Sequence, residues 1–336
     1  MSGTSRIGAS PEMARRKLLL ALAGGLVAPA ALGAGSALAQ PMPGNSITRL
    51  NAMAARANAG TVGLIAGGVD GTYIRIAADL AAVLDDGDRV RVIAMIGRGS
   101  VQNIADIMVL RGVDLGIVQS DVLAYARRES LFPSVERLIQ YVCKLYDEEI
   151  HILARPGIES VRDLAGQPVN VDLRGSGTAM TASLVLGALG IEVQEQNAPQ
   201  DVALERLRRG EIAALVYVAG KPARLFTGIA ADSGLRLLPL PAEAALLETY
   251  LPSRFTAADY PALVPEGGID TIAVGAVLAA YAWPAGSERH RKVSRFIAAL
   301  NANFDAFLRP PRHPKWREVN LEATVPGWTR FEAGPG

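Results

Sequence analysis

The amino-acid sequence predicts an α/β fold built on a largely parallel sheet. Short apolar runs bounded by glycine alternate with helical segments of roughly 10–15 residues, which is the pattern of strand–helix–strand units. The chain has 336 residues, of which 50% are hydrophobic, and this length favours two domains over one. A formal net charge of +1 gives no general case for nucleic-acid or acidic partners.

Residues 1–39 are predicted to be a signal peptide rather than part of the fold. The basic triplet Arg15-Arg16-Lys17 precedes an uncharged segment rich in leucine, alanine and glycine, which ends in the small-x-small pattern Ala37-Leu38-Ala39. The paired arginines leave both the twin-arginine and the general secretory route open. A retained membrane anchor is the alternative, and the glycines and the proline within the segment weaken it.

The first half of the chain is expected to alternate between strands and helices. Residues 40–59 form a linker and a short polar helix. Strands are predicted at 61–66, 89–96 and 115–118, and helices at 73–84, 100–110 and about 122–128. Residues 138–154 are interpreted as two extended segments on either side of a solvated bend at Asp147-Glu148-Glu149, in preference to an acid–base or metal cluster.

The second half repeats this alternation with shorter elements. Strands are predicted at 168–172, 212–218, 235–240 and 269–281. Helices are predicted at 161–164, from 178 to about 190, at 201–209, after Gly220-Lys221-Pro222, at 242–250 and at 287–308. Residues 255–268 are expected to be a loop, and 311–336 a proline-rich C-terminal tail.

Four turns bring glycine, hydroxyl or acidic residues to the start of a helix, at 67–72, 97–100, 119–121 and 174–178. Helix starts expose unpaired N–H groups and the positive end of the helix dipole. Ligands of open parallel sheets bind beyond the carboxyl ends of the strands. The four turns together therefore predict a site for a small carboxylate, although each alone has an ordinary explanation in helix capping.

Charged and aromatic residues in these turns have two interpretations each. Arg98 and Arg174 are either exposed turn residues or forks for a ligand carboxylate. Tyr73 either contacts the ligand or belongs to the core. Asp121 is either a helix cap or the partner of a ligand ammonium group.

The sequence offers no pattern for catalysis, a cofactor or a metal. Residues 67–71 do not match the dinucleotide-binding glycine pattern, and no phosphate-binding loop with lysine is present. Ser176 lies in Gly175-Ser176-Gly177, which is too tight for a nucleophile elbow. The single Cys143 excludes an internal disulfide, and the three histidines are widely spaced. No catalytic residue, cofactor or metal is predicted.

Several motifs share an order and spacing with one protein family. They include Gly-Val-Asp-Gly-Thr-Tyr at 68–73, Gly-Ser-Val-Gln-Asn at 99–103 and Asp-Leu-Gly-Ile-Val-Gln-Ser-Asp at 114–121, followed by matches at 145–151, 163–169, 175–178 and 220–222. With these motifs, residues 60–310 resemble the TAXI family of TRAP transporter solute-binding proteins. Asp70 and Arg98 depart from the family pattern and add charge near the expected pocket.

The resemblance implies a type II periplasmic-binding-protein fold, with a ligand cleft between two α/β lobes. Lobe 1 would comprise 60–153 plus 262–310, and lobe 2 would comprise 154–261. The implied ligand is a small organic anion, such as an acidic amino acid or a 2-oxo dicarboxylate, delivered to a TRAP membrane permease from the periplasm. A periplasmic sensing module that partners a sensor kinase is the alternative. The expected ligand-binding residues are Gly71, Thr72, Tyr73, Arg98, Ser100, Asn103, Gln119, Ser120, Asp121, Arg174, Ser176, Gly177 and Thr178.

Overall fold

The computed structural model describes residues 44–87 and 89–334. The predicted signal peptide, residues 1–39, lies outside the described residues. The chain divides into two compact units, Met1–Arg49 and Leu50–Gly336. Helix α1 (Gly44–Ala59) begins in the first unit, and the strands all lie in the second. Within the described ranges, no helix combines the length and the apolar character that crossing a bilayer requires.

The second unit alternates strands with helices, as the glycine-bounded apolar runs predicted. The strands are β1 (Thr61–Ile65), β2 (Arg91–Met95), β3 (Leu115–Gln119), β4 (Ile139–Ala154), β5 (Pro168–Asn170), β6 (Gln194–Gln196), β7 (Ala214–Ala219), β8 (Arg236–Leu237), β9 (Leu251–Phe255) and β10 (Ile269–Tyr281). The helices are α2 (Thr72–Leu84), α3 (Ser100–Val109), α4 (Val122–Arg128), α5 (Val135–Leu138), α6 (Gly177–Ala188), α7 (Gln200–Arg208), α8 (Arg224–Thr227), α9 (Ala244–Leu247), α10 (Glu288–Ala302) and α11 (Phe304–Phe307). Short 3-10 turns occupy Val161–Leu164, Ala231–Ser233 and Pro314–Glu318.

The strands form one continuous sheet with two parallel wings. The first wing contains β2, β1 and β3, and the second wing contains β7, β5 and β6. Two long antiparallel strands, β10 and β4, lie between the wings and link them. The sheet is therefore mixed, with parallel order confined to the wings.

Apolar side chains cover both faces of each wing. In the first wing, Ile76 and Phe296 lie in the cluster on one side, and Ile104 lies in the cluster on the other. In the second wing, Val185 and Leu207 belong to two further clusters in the same way. The inner strands β1, β3, β5 and β7 are largely buried on both faces, which explains why their sequences are mostly apolar without polar alternation, whereas the edge strands β2 and β6 are partly exposed.

The solvated bend expected at Asp147-Glu148-Glu149 is wrong, because β4 runs through it without interruption. Backbone pairing to β10 at Asp147–Glu149 and to β7 from Glu149 onward keeps this segment extended. Glu148 and Glu149 are both 2% exposed. The acidic run suggested solvent exposure, but the partners that allow its burial lie far away in the sequence.

The starts of two predicted helices differ in detail from the expectation. Helix capping was the ordinary explanation for the turns that end at Thr72 and Ser100, but Gly71 and Gly99 occupy the cap positions. The hydroxyl of Thr72 instead donates to the carbonyl of Gly220 at 3.2 Å. Ser176 is the cap of α6, and its hydroxyl accepts the Ala179 N–H at 3.1 Å.

Two further predictions needed correction, and one long strand was predicted correctly. The long helix predicted at 287–308 ends at Ala302 and is followed by the separate helix α11. Strand β9, which pairs with β10, was not predicted. The long extended run at 269–281 was predicted with the bounds that the structure has.

The C-terminal segment expected to be a tail is folded against the first wing. Trp316 is fully buried and stacks on Phe307, with ring centroids 4.2 Å apart. Lys315 is also buried, and its Nζ contacts Glu149 Oε1 at 2.8 Å and Glu318 Oε2 at 2.9 Å. The other oxygen of Glu149 accepts the Lys221 N–H at 2.9 Å. One carboxylate of β4 therefore ties the C-terminal segment to the loop after β7.

We expect Lys315→Met to lower the free energy of unfolding by about 3–5 kcal/mol, because it leaves the Glu149 carboxylate buried without its cation. Adding Glu149→Gln should recover most of the loss, since the uncompensated charge is then removed. Urea denaturation measures both effects.

Arg162→Met is the control, because its ion pair with Glu243 is exposed and such pairs contribute about 0–1 kcal/mol. A Lys315→Met variant no less stable than this control would contradict the assigned role of the buried pair.

Candidate functional site

A cleft opens at the carboxyl ends of the parallel strands, where the two wings face each other. It contains about 400 Å³ of empty space, part of it continuous with solvent. Its walls come from the loops that follow β1, β2 and β5, from the helix starts after β1 and β5, from the end of β3, and from strands β4 and β7. The lining residues are Gly67, Gly68, Gly71, Thr72, Tyr73, Arg98, Gly99, Gln119, Glu148, Asp172, Ser176, Gly177, Thr178, Tyr217 and Val218.

Most of the predicted ligand-binding residues lie at this cleft. These residues lie at the starts of α2 and α6, in the turn before α3 and at the end of β3. They are Gly71, Thr72, Tyr73, Arg98, Gln119, Ser176, Gly177 and Thr178. Turns that are more than a hundred residues apart in the sequence therefore meet at one place.

Ser100 and Asn103 lie behind the cleft wall, where they position backbone. The hydroxyl of Ser100 donates to Gln119 Oε1 at 2.8 Å and accepts the Gln119 N–H at 2.9 Å. The buried amide of Asn103 donates to the carbonyls of Ala66 and Ile117 at 2.7 and 2.8 Å. Asn103 thus fastens the ends of β1 and β3 to helix α3.

Ser120, Asp121 and Arg174 also lie outside the cleft lining. Ser120 supplies backbone hydrogen bonds, donating to Gly275 O and accepting from Trp328 Nε1. Asp121 is at the start of α4 but makes no capping hydrogen bond with its side chain. Arg174 is exposed, and its Nε donates to Asn197 Oδ1 at 3.2 Å.

Asp121 lies between the wings and links them through its side chain. Its Oδ2 accepts from Tyr250 at 3.1 Å and from Thr181 at 3.3 Å. Its Oδ1 has no hydrogen-bond partner among the described residues. Burial raises the pKa of this carboxyl to about 6, although the hydrogen bonds from Tyr250 and Thr181 act in the opposite direction.

The starts of helices α3 and α6 approach each other through glycine. A Cβ at Gly99 would lie 3.0 Å from the backbone nitrogen of Gly177, and Gly99 has φ +108°. A Cβ at Gly177 would lie 1.8 Å from Gln119 Oε1 and 2.7 Å from Ser100 Oγ. Only glycine permits this contact, which brings the positive ends of two helix dipoles to the cleft.

The side chains of the cleft carry charges of both signs. Arg98 is the cationic side chain among the described lining residues, and it is exposed at the mouth. Glu148 and Asp172 are the carboxyl groups. Burial raises the pKa of Asp172 to about 6, against hydrogen bonds from the Leu173 backbone and the Ser176 hydroxyl.

Glu148 forms a close pair with Tyr73 on the floor of the cleft. The Tyr73 hydroxyl donates to Glu148 Oε2 at 2.6 Å. Burial raises the pKa of Glu148 to about 8, and the Tyr73 hydrogen bond only partly offsets that effect. Burial therefore favours the protonated form of this carboxyl at neutral pH.

Sequence reasoning missed Glu148, Asp172, Tyr217 and Val218 as cleft residues. The sequence did hold a signal for Glu148. Its acidic pair with Glu149 lies inside a long, mostly apolar segment, and charged residues in such a segment are seldom buried without a specific role. Asp172 directly follows a predicted strand that ends at the same edge of the sheet as the other turns. Tyr217 and Val218 lie on β7 within an apolar run, and nothing local distinguishes them from the core.

Comparison with known proteins agrees with this architecture. The model of the NMT1-like family matches residues 64–283, which is more than half of the chain. That span contains all the cleft residues. The fold is a mixed α/β fold with a curled sheet flanked by helices, similar to that of periplasmic binding proteins.

Several solved structures are similar at low sequence identity. A protein from Bordetella bronchiseptica RB50 matches with a TM-score of 0.52 and 13% identity, covering 78% of this chain and 76% of that one. The periplasmic binding protein BugD matches with a TM-score of 0.49 and 12% identity, covering 78% of this chain and 88% of that one. The alkanesulfonate-binding protein SsuA from Xanthomonas axonopodis pv. citri, bound to MOPS, matches with 0.47 and 15%, covering 76% of each chain. Identities this low reflect a shared fold alone.

We expect Asn103→Ala to lower the free energy of unfolding by about 2–4 kcal/mol, because it leaves buried carbonyls without donors. Gln102→Ala on the same helix is the control, since its side chain is partly exposed and bonds only Asp106. Urea denaturation of both variants measures the difference. Equal stability of the two variants would show that Asn103 does not fasten the cleft wall.

Proposed function

We propose that this chain, which belongs to the NMT1-like family, is an extracytoplasmic solute-binding receptor of the TAXI type for a TRAP transporter. It captures a small organic anion or an acidic amino acid and delivers it to a membrane permease. Residues 1–39 direct its export and are then removed. It binds its ligand without transforming it.

The observation that carries this proposal is the convergence of three helix starts with Arg98 at one cleft. The starts of helices α2 and α6 line the cleft and the start of α3 adjoins it through Gly99, so the positive ends of three helix dipoles lie near the same space. An anion placed there gains several favourable interactions at once, and Arg98 supplies a fork suited to a carboxylate. The modest size of the cleft favours a small ligand over a polymer.

The two wings are the two lobes in this proposal, with 60–153 plus 262–310 in lobe 1 and 154–261 in lobe 2. The C-terminal segment that carries Trp316 belongs with lobe 1. Hydrogen bonds across the cleft hold the closed form, including Gln119 Nε2 to Thr181 Oγ1 at 3.2 Å and Gln102 N to Gly175 O at 3.1 Å. A ligand that touches both lobes favours this closed form by its differential affinity, and the permease recognises closure.

We expect a small carboxylate to raise the thermal unfolding temperature of the purified protein. A ligand at 100 times its dissociation constant adds about 2.7 kcal/mol to the free energy of unfolding. Differential scanning fluorimetry with L-glutamate, L-aspartate, 2-oxoglutarate and other small mono- and dicarboxylates measures this shift. Absence of stabilisation by every carboxylate and amino acid in such a screen would overturn the proposed function.

We expect Gly177→Ala to weaken ligand binding at least tenfold, because its Cβ collides with Gln119 and keeps the lobes apart. The variant should still fold, since alanine suits a helical position better than glycine. Gly187→Ala in the same helix is the matched control, because nothing lies within 4 Å of its Cβ. Isothermal titration with a carboxylate from the screen measures the affinity of both variants. Unchanged affinity in Gly177→Ala would contradict the proposal that the lobes close at this contact.

A further inference from the structure

We propose that Glu148 binds the ligand as a neutral acid, donating a hydrogen bond from Oε1 to a ligand carboxylate. Capture of the anion is then coupled to one proton held by the protein. This inference rests on the proposed function, because it assigns a role to a side chain of the same cleft.

The geometry leaves one oxygen of Glu148 for a ligand. Tyr73 donates to Oε2 at 2.6 Å, so this oxygen already has a hydrogen-bond donor. No described residue hydrogen-bonds Oε1, although Glu148 lines the cleft and its side chain is otherwise buried. A proton on Oε1 therefore has no acceptor among the hydrogen bonds of the described residues, and a ligand or water in the cleft can accept it.

The groups that face Glu148 do not supply it with a cation. Tyr73 from α2, Tyr146 from its own strand and Tyr217 from β7 are neutral. Glu149 and Asp121 are carboxyl groups whose charge raises the pKa of Glu148. Lys315 lowers it but contacts Glu149 and Glu318 directly. Burial without an ion-pair partner explains why the pKa of Glu148 rises to about 8.

An ionised Glu148 would oppose the function proposed for the cleft. It would place a second negative charge beside a ligand carboxylate where little water remains to screen them. The protonated side chain instead supplies a donor, as the helix N–H groups do. Above pH 8 the side chain must take up a proton before the anion binds, so affinity falls as the pH rises.

The decisive experiment measures binding of 2-oxoglutarate between pH 7 and pH 9. This probe does not titrate in that interval, and the pKa values of Asp172 and Asp121, each raised to about 6, lie below it. For a group with a pKa of about 8, we expect affinity to fall about tenfold from pH 7 to pH 9. Isothermal titration in buffers of different ionisation enthalpy also counts the proton taken up.

Two variants separate this role from a general effect on the fold. Glu148→Gln keeps the shape and a donor but cannot titrate, so whatever affinity this variant has should be the same at pH 7 and pH 9. Glu195→Gln on the exposed strand β6 is the matched control and should keep the full dependence. Tyr73→Phe removes a hydrogen bond that lowers the pKa of Glu148, so the pH at which affinity begins to fall should move upward.

The outcomes are distinct. If Glu148→Gln loses more than tenfold in affinity, and loses more for L-glutamate than for 2-oxoglutarate, then Glu148 is an acceptor for a ligand ammonium and the inference is overturned. A flat profile in the unsubstituted protein overturns it as well. If L-glutamate binds and 2-oxoglutarate does not, the same pH series is run with L-glutamate and decides between these results. Failure of every carboxylate to bind at any pH would overturn the proposed function, and this inference with it.

Discussion

Two adjacent buried glutamates on the long strand β4 set the main constraint on this structure. Successive side chains of a strand point to opposite faces, so Glu148 and Glu149 enter different surroundings. Glu149 meets Lys315 and the Lys221 N–H, and these contacts tie the C-terminal segment and the loop after β7 to the sheet. Glu148 meets Tyr73 and the cleft. A shift of the strand by one residue would exchange the two and leave each carboxyl without its partner.

The cleft depends equally on how closely two helix starts approach. Gly99 and Gly177 have no side chain at the point where α3 and α6 meet, and Gln119 and Ser100 fill the space around them. Two positive dipole ends brought together are unfavourable unless something negative or polar lies between them. The amide oxygen of Gln119 supplies part of that compensation. A ligand anion would supply more, which is a physical reason for the wings to close on one.

Much of this fold was predictable, and the limits have a physical cause. Apolar runs ending in glycine located the wings and most of the turns, because parallel strands and helix starts have local requirements. The continuity of β4 was not predictable, because the cation that allows Glu149 to be buried is Lys315, 166 residues away. Asn103 was predicted as a ligand residue from the family resemblance, and only its carbonyl partners reveal that it holds backbone.

The chemistry of the cleft follows from the same distant contacts. Arginine and helix N–H groups attract any small anion, so they give little selectivity by themselves. A buried, protonated Glu148 beside them would select ligands that can accept a hydrogen bond from its carboxyl group. It would disfavour ligands whose binding requires the carboxyl group to ionise. Tyr73 fixes which oxygen of Glu148 faces the cleft, because the other oxygen already accepts its hydroxyl. In the proposed function, ligand charge, ligand orientation and proton count are therefore set together by one pair of side chains, Tyr73 from helix α2 and Glu148 from strand β4.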